Sequence, residues 1–305
     1  MLANQYRMRG LALMFLAKKY FLLDSGDRVP TVEEFCRESN ISQGTLQSAI
    51  NILKEDDAIQ TISRGHLGTF VEGVDHKKLL SYLKNKDIVG SLPLPYTKKY
   101  EGLATGIYKS FLNSDMRINL SYMNGSRNRL SGLEEGRSDF IITSDLTADY
   151  LVKNVDNLEK YIIFPESTYV SEHVVIFKKG IRPEIKDGAK VGVDDHSIDY
   201  SLLTDLIVKN KKVRLIKMPY NQIVKSIENG VIDYAIWNMG EVIEHNYPVD
   251  FEPIKDSIVS KASKATIIGK KKNAFIKTIL QRTITTNNLI NIQKKVEAGK
   301  ILPEY

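Results

Sequence analysis

Two stretches of this chain carry one pattern: LSGLEEGRSDFII (Leu130–Ile142) and IVKSIENGVIDYAI (Ile223–Ile236). Each reads as a helix closing on an acidic residue, one further residue, glycine, two more residues and aspartate, followed by an apolar run. Gly136 and Gly230 stand where a helix C-terminus favours a left-handed residue. Beyond Asp139 and Asp233 come Phe140-Ile141-Ile142 and Tyr234-Ala235-Ile236, continuous enough for strands buried on both faces. A single such unit occurs in any α/β protein. Two of them, each preceded by a further strand, point to a pair of similar lobes.

Working outward, the pattern predicts a strand at Ile88–Leu92, a helix at Lys98–Leu112, a strand at Ile118–Met123, a helix at Arg127–Glu135 and a strand at Asp139–Thr143. The alternation resumes after Asp187 with Lys190–Val193, Ile198–Lys209, Val213–Lys217, Gln222–Asn229 and Tyr234–Trp237. This is the strand–helix rhythm of a sheet with helices on its faces. Two such lobes joined by a double crossover resemble the type II periplasmic-binding-protein fold, which also serves LysR-type regulators as an effector domain. On that reading Tyr161–Val174 is the first crossover and Val249–Thr266 the return, and the helices Phe275–Asn287 and Leu289–Gly299 pack back on the first lobe. The two-lobed domain spans 88–305, lobe I being about 88–167 with 262–305 and lobe II about 168–261.

In open α/β sheets ligands sit beyond the carboxyl ends of the strands, here between the lobes. The loops at that edge supply Ser91, Tyr96, Thr97, Asn124, Ser126, Arg127, Ser144, Asp145, Asp195, His196, Ser197 and Asn238 as candidate ligand-binding residues. Asn124-Gly125-Ser126-Arg127 and Asp195-His196-Ser197 each precede a helix. Free N–H groups, a hydroxyl and a guanidinium there suit a carboxylate or phosphate. A routine helix cap explains either stretch singly; together on one edge they favour a small, anionic ligand.

The N-terminal residues read differently. A helix is expected from about Gln5 to Leu23, with Leu11, Met14, Phe15, Lys18 and Leu22 recurring on one face. The apolar run LALMFLAKKYFLL resembles the start of a secretion signal, but Lys18 and Lys19 interrupt it and no A-x-A-like site follows. It is also too short to span a bilayer. Thr31 caps a second helix whose inward stripe is Val32, Phe35 and Cys36. Ser42 caps a third, its hydroxyl expected on a backbone N–H, with Leu46, Ala49, Ile50 and Leu53 inward. Two strands, Ala58–Ile62 and Leu67–Val71, follow around a turn bearing Arg64 and His66. Three helices and a ribbon describe a winged helix-turn-helix over residues 1–74, an α+β domain.

In such a domain the third helix enters a major groove, so Ser42, Gln43, Thr45, Gln47, Ser48 and Asn51 are the candidate DNA-binding face. Arg64 and His66 join them from the wing. The same fold also serves as a protein-interaction module. The stretch Ser42–Ile50 with Gly68-Thr69-Phe70-Val71 resembles the GntR-type winged helix of bacterial repressors. Glutamines 43 and 47 stand where that family carries arginines, and His66-Leu67 separates two glycines that it spaces more closely. Over nearly its full length the chain is similar to the YhfZ family, bacterial proteins regarded as transcriptional regulators. That resemblance implies DNA and a small-molecule effector as partners, a homodimer or higher homo-oligomer, no cofactor and a cytoplasmic setting. Asp75–Asp87 between the domains is lysine-rich, and reads either as a solvated linker or as a helix packed on a partner.

Composition bounds the rest. The 305 residues hold one cysteine, which rules out an internal disulfide and fits a reducing compartment. The net charge of +6 is unevenly spread: residues 1–75 hold eight Lys and Arg against ten Asp and Glu, leaving the surplus to the larger part. No catalytic motif stands out, and Cys36 on an inward stripe reads as structural. Asp194-Asp195-His196 with Asp199 has the residue types of a metal site, but a polar loop capping a helix explains it more simply. Neither a catalytic nor a metal site is therefore assigned.

Overall fold

The computed structural model describes residues 2–83, 87–181 and 184–305, with side chains from Arg7 onward. It divides into two compact units. The first holds the residues up to Asp87 together with Asn113–Arg117 and Ala274–Ile279; the second holds the rest.

In the first unit, α1 (Leu2–Phe21), α2 (Val32–Ser39) and α3 (Gln43–Glu55) pack beside an antiparallel ribbon of β1 (Ile59–Ser63) and β2 (Thr69–Val74). Thr31 caps α2 in a reciprocal box with Glu34, and Asn40 ends it in the left-handed conformation. Leu46, Ala49, Ile50 and Leu53 are the buried face of α3, as their spacing requires. On α1 the buried stripe is Ala12, Leu16, Ala17, Tyr20 and Phe21, while Leu11 is 45% exposed. Every residue from Leu11 to Ala17 is apolar, so periodicity alone placed the stripe one position out of phase. Cys36 is half-buried rather than sealed in.

The wing is more built than a two-strand turn. Gly65–Leu67 forms one turn of 3-10 helix, which accounts for the residues separating the two glycines. Val29 and Val71 bond to Thr69 and Asp27 across a third extended segment. The stretch expected as a linker carries α4 (His76–Ser81), capped by Asp75 and burying Leu79 and Leu80. Its expected cations Lys84 and Lys86 lie outside the described residues.

The second unit contains two five-stranded sheets. One is ordered β4-β3-β5-β12-β6 and the other β11-β7-β10-β8-β9. The strands of the first are β3 (Asp87–Leu92), β4 (Arg117–Tyr122), β5 (Phe140–Ser144), β6 (Leu158–Ile163) and β12 (Ala265–Lys270). Those of the second are β7 (His173–Lys178), β8 (Lys190–Val193), β9 (Arg214–Lys217), β10 (Tyr234–Asn238) and β11 (Val249–Pro253). Read from opposite ends, the two sheets have equivalent orders. Only residues 164–172 and 254–264 cross between them, so the expected crossovers are shorter, their ends being strands. Helices α5 (Lys98–Phe111), α6 (Ser126–Glu134), α7 (Asp145–Asn154), α8 (Ile198–Ile207), α9 (Ile223–Glu228), α10 (Met239–Glu244) and α11 (Ile258–Ser263) cover the sheets. The chain ends in α12 (Ala274–Thr283) and α13 (Thr286–Glu297). Helix α13 packs closely on α5: a Cβ on Gly102 would lie 2.9 Å from the backbone of Gln293.

The repeated pattern is conserved between the lobes down to its hydrogen bonds. Arg137 N bonds Gly132 O and Gly136 N bonds Leu133 O; Val231 N bonds Ser226 O and Gly230 N bonds Ile227 O. Both are Schellman closures, with Gly136 at φ 77° and Gly230 at φ 69°. Each aspartate then clamps the first strand of its lobe from both sides. Asp139 N donates to Val89 O while Asp139 Oδ2 accepts Val89 N at 2.9 Å. Asp233 N donates to Lys190 O while Asp233 Oδ2 accepts Lys190 N at 2.8 Å. Losing either carboxylate strands a half-buried N–H. Asp139→Ala and Asp233→Ala should each lower stability by about 1–2 kcal/mol in urea unfolding. An unchanged midpoint in either variant would refute the clamp in that lobe.

Candidate functional site

The loops after β3 and β4 face those after β8 and β9 across a cavity of about 50 Å³, and a set of hydrogen bonds holds the lobes together around it. Ile198 N donates to Ser126 Oγ at 3.0 Å, so a serine of lobe I satisfies the first turn of α8 in lobe II. Arg127 N donates to His196 O, and Arg127 Nε to Asp195 O at 3.0 Å. Lys98 N donates to Glu244 Oε2 at 3.0 Å, and His245 Nε2 lies 3.0 Å from Tyr96 O. Gly125 makes this approach possible: it has φ 77°, and a Cβ there would lie 2.7 Å from that of His196.

At the centre is Arg129, 2% exposed. Its Nη1 donates to Met123 O at 2.8 Å and its Nη2 to the Tyr169 hydroxyl at 3.2 Å. Its Nε has no partner among the described residues, and neither has Nδ1 of the buried His173; both side chains line the cavity. Opposite in charge is Asp199, 5% exposed and lining the same cavity from lobe II. Its Oδ1 accepts Ser144 Oγ at 2.5 Å and Thr147 Oγ1 at 2.8 Å, both from lobe I. Among the described residues no ion pair joins Asp199 to Arg129.

Tyrosines from both lobes close the walls. Tyr220 stacks on Trp237 at 3.9 Å, on Tyr200 at 5.6 Å and on Tyr96 at 5.8 Å, while Tyr100 meets Tyr169 edge-on at 5.3 Å. The Tyr220 hydroxyl donates to Glu241, a buried carboxylate that also accepts the Tyr247 hydroxyl at 3.3 Å. A second cavity, of about 380 Å³, lies beside Tyr96 and Tyr220 and reaches Glu241 and His245.

Of the residues expected from sequence, Tyr96, Asn124, Ser126 and Ser197 line the central cavity. The others have different work. Arg127 is exposed and ties the lobes from outside, so the guanidinium in the cavity belongs to Arg129, two positions along α6. Thr97, Ser144 and Asn238 cap α5, α7 and α10, each accepting a backbone N–H. Ser91 is buried in β3. Asp145 is paired with Lys160 at 2.5 Å, and Asp195 with Lys217 at 3.0 Å; His196 is exposed. Sequence reading missed Arg129, His173, Tyr100, Tyr169, Tyr200 and Tyr220. Asp199 entered only as a candidate metal ligand. The group Asp194, Asp195 and His196 does bring its ligand atoms within 4.8 Å of one another. Asp194 Oδ1, however, accepts His196 N at 3.0 Å, which makes it the cap of its own loop.

In the first unit, Ser42, Gln43, Gln47, Asn51, Arg64 and His66 are exposed, with Thr45 and Ser48 half-exposed. Gln47 Nε2 donates to Asn51 Oδ1 at 3.3 Å. Ser42 does not cap α3 as expected. Its hydroxyl pairs with that of Thr45 at 2.8 Å, leaving the first N–H groups of α3 without a side-chain acceptor. Arg64 lies over the Phe70 ring, 4.7 Å from its centroid, which holds the guanidinium on the wing.

The chain is a two-part protein, a helix-turn-helix unit followed by a domain of periplasmic-binding-protein fold. A helix-turn-helix domain model matches residues 24–71, and the YhfZ C-terminal domain model matches residues 75–305. The chain belongs to the YhfZ family. A YhfZ protein of Escherichia coli is 28% identical over 304 residues, covering 98% of each chain. The crystal structure of YhfZ from Shigella flexneri superposes with a TM-score of 0.64 at 29% identity, over 75% of this chain and 97% of that one. The alkanesulfonate-binding protein SsuA from Xanthomonas axonopodis gives 0.54 at 11% identity, over 72% and 76%. An ancestral arginine-binding protein gives 0.51 at 16%, over 72% and 97%. These last two share the fold. No helix among the described residues is long and apolar enough to cross a membrane.

Burial acts on the two titrating groups of the cavity in opposite senses. It raises the Asp199 carboxyl to about 6, against the pull of its hydroxyl donors and of Arg129. The folded chain therefore holds a proton that the unfolded chain releases, and stability falls as pH rises from about 4 to 6. Burial lowers the His173 imidazole to about 4, so the folded chain refuses a proton there, and stability rises over about pH 4–6.5. Each effect is on the order of 3 kcal/mol, so they offset one another. Asp199→Asn should uncover the rising limb and His173→Gln the falling one, read as urea midpoints between pH 4 and 7. Identical profiles in both variants would contradict this opposition.

Proposed function

We propose that the protein is a ligand-responsive, DNA-binding transcriptional regulator whose small anionic effector is held between the two lobes. One observation carries the effector half of this reading. A nearly fully buried guanidinium lines an interlobe cavity with an N–H that has no partner among the described residues. A buried donor without an acceptor is costly, and a carboxylate, sulfonate or phosphate supplies one with charge assistance. The hydrogen bonds that span the lobes form only when the lobes close. A ligand that bridges them therefore binds the closed state better and shifts the population toward it.

The DNA half rests on the helix-turn-helix match and on the exposed face of α3. Gln47 and Asn51 offer amides suited to adenine edges, and the uncapped start of α3 with Arg64 suits phosphates. Binding at the two sites is then linked, and effector and DNA change one another's affinity by the same factor. On this reading the cavity binds rather than catalyses, and the protein works as a homodimer in the cytoplasm.

The full-length protein should retard a fragment of DNA from upstream of its own gene, with affinity falling at least about tenfold between 50 and 200 mM salt. Arg64→Ala should weaken binding to all sequences alike, whereas Gln47→Ala should change which base is preferred at one position of the site. Failure to bind any upstream fragment at low salt would overturn the regulator reading.

A further inference from the structure

Resting on the effector reading above, we infer that the ligand is a small zwitterion of the amino-acid class, its carboxylate on Arg129 and its ammonium group on Asp199. The cavity presents one buried cation and one buried anion, and the two are not joined by an ion pair. Two opposite charges buried in one cavity without a mutual salt bridge form a poor pair for each other and a good pair for a third molecule carrying both. A simple anion would satisfy Arg129 and bring a second negative charge into the cavity with Asp199. A simple cation would do the reverse beside Arg129. Only a ligand with both charges leaves the cavity neutral while serving each wall.

The details fit that polarity. The guanidinium is oriented by Met123 O and the Tyr169 hydroxyl, with Nε left over. On Asp199 both hydroxyl donors fall on Oδ1. That leaves Oδ2 as the natural acceptor for an ammonium group. His173 adds an Nδ1 that has no partner among the described residues. Size is restrictive. About 50 Å³ accommodates roughly four water-sized centres, which admits a small amino acid and excludes a nucleotide or sugar phosphate in the closed form.

The test is isothermal titration of the full-length protein with three sets of compounds. The first holds glycine, L-alanine, L-serine, β-alanine and 4-aminobutanoate. The second holds the matching acids without the amine (acetate, propanoate, lactate, butanoate), with sulfate and phosphate beside them. The third holds methylamine and ethylamine. We expect at least one amino acid to bind, and its des-amino acid to bind at least about tenfold more weakly. In Asp199→Asn, which keeps the shape and an acceptor for Ser144 and Thr147, the two should come within about threefold of each other. The quenching of Trp237, the single tryptophan, stacked beside Tyr220, gives a second readout of the same binding. If des-amino acids, sulfate or phosphate bind as tightly as any amino acid, the zwitterion inference is overturned while the anion cleft stands. If an amino acid binds and Asp199→Asn leaves its preference intact, the ammonium assignment is overturned. If nothing in any set binds, both the inference and the anionic-effector reading fail.

Discussion

A guanidinium that is almost fully buried needs acceptors for its N–H groups, from the protein or from a ligand, and that requirement organises the middle of this protein. Arg129 sits on α6, the helix whose close is welded to β3 by the Asp139 clamp. It is held by a carbonyl from the end of β4 and by a tyrosine on the first crossover. None of these elements can shift far without stranding a charge, at a cost of several kcal/mol. The rigidity of the lobe I wall follows from this. What remains adaptable is the other wall, which meets it through hydrogen bonds at loop ends and through stacked rings.

The closed arrangement depends on small residues at the lobe edges. Gly125 lets backbone meet backbone at His196, and Ser126 Oγ accepts the Ile198 N–H at the start of a helix of the other lobe. Asp199 reaches back to Ser144 and Thr147, so the anionic side of the cavity is itself an interlobe latch. Opening the lobes would release that carboxylate into water, where it ionises readily. Closing them removes the water, which favours closure only if hydroxyl donors or a cation compensate. A ligand that supplies the cation would act on the same equilibrium as the latch, and so would couple occupancy to lobe position without any longer-range device.

The parts of the molecule that were legible in the sequence are those made by neighbours along the chain. The glycine–aspartate closures, the Thr31 cap of α2 and the inward faces of α3 and β5 all follow from local chemistry and period. Strands β6, β7, β11 and β12 were not legible, because their pairing partners lie far away in sequence: Ala265 sits opposite Ser144, and Val249 opposite Lys178. Helices α7 and α10 start directly at strand ends, and their caps Ser144 and Asn238 therefore looked like ligand residues. The choice between Arg127 and Arg129 was a question of helix phase. Only packing against the second lobe sets that phase. The four missed tyrosines, Tyr100, Tyr169, Tyr200 and Tyr220, come from four separated segments, and nothing local distinguishes them from ordinary core.

The helix-turn-helix unit poses the opposite problem, too little charge rather than a buried one. With ten acidic residues against eight basic ones up to Asp75, it attracts DNA weakly at long range. Its affinity has to come from short-range contacts: the uncapped turn of α3, the wing guanidinium fixed over Phe70, and amides on a single helix face. A few such contacts give modest binding by one copy. In the proposed homodimer, two linked copies on a pseudo-palindromic site would convert the second contact into an intramolecular one and multiply the affinity without any added charge. Weak single-copy binding also makes occupancy sensitive to the spacing of the two copies. On the proposed regulator reading, a small change in geometry would suffice to release the protein from DNA, which is all that a ligand a few atoms in size can be expected to produce.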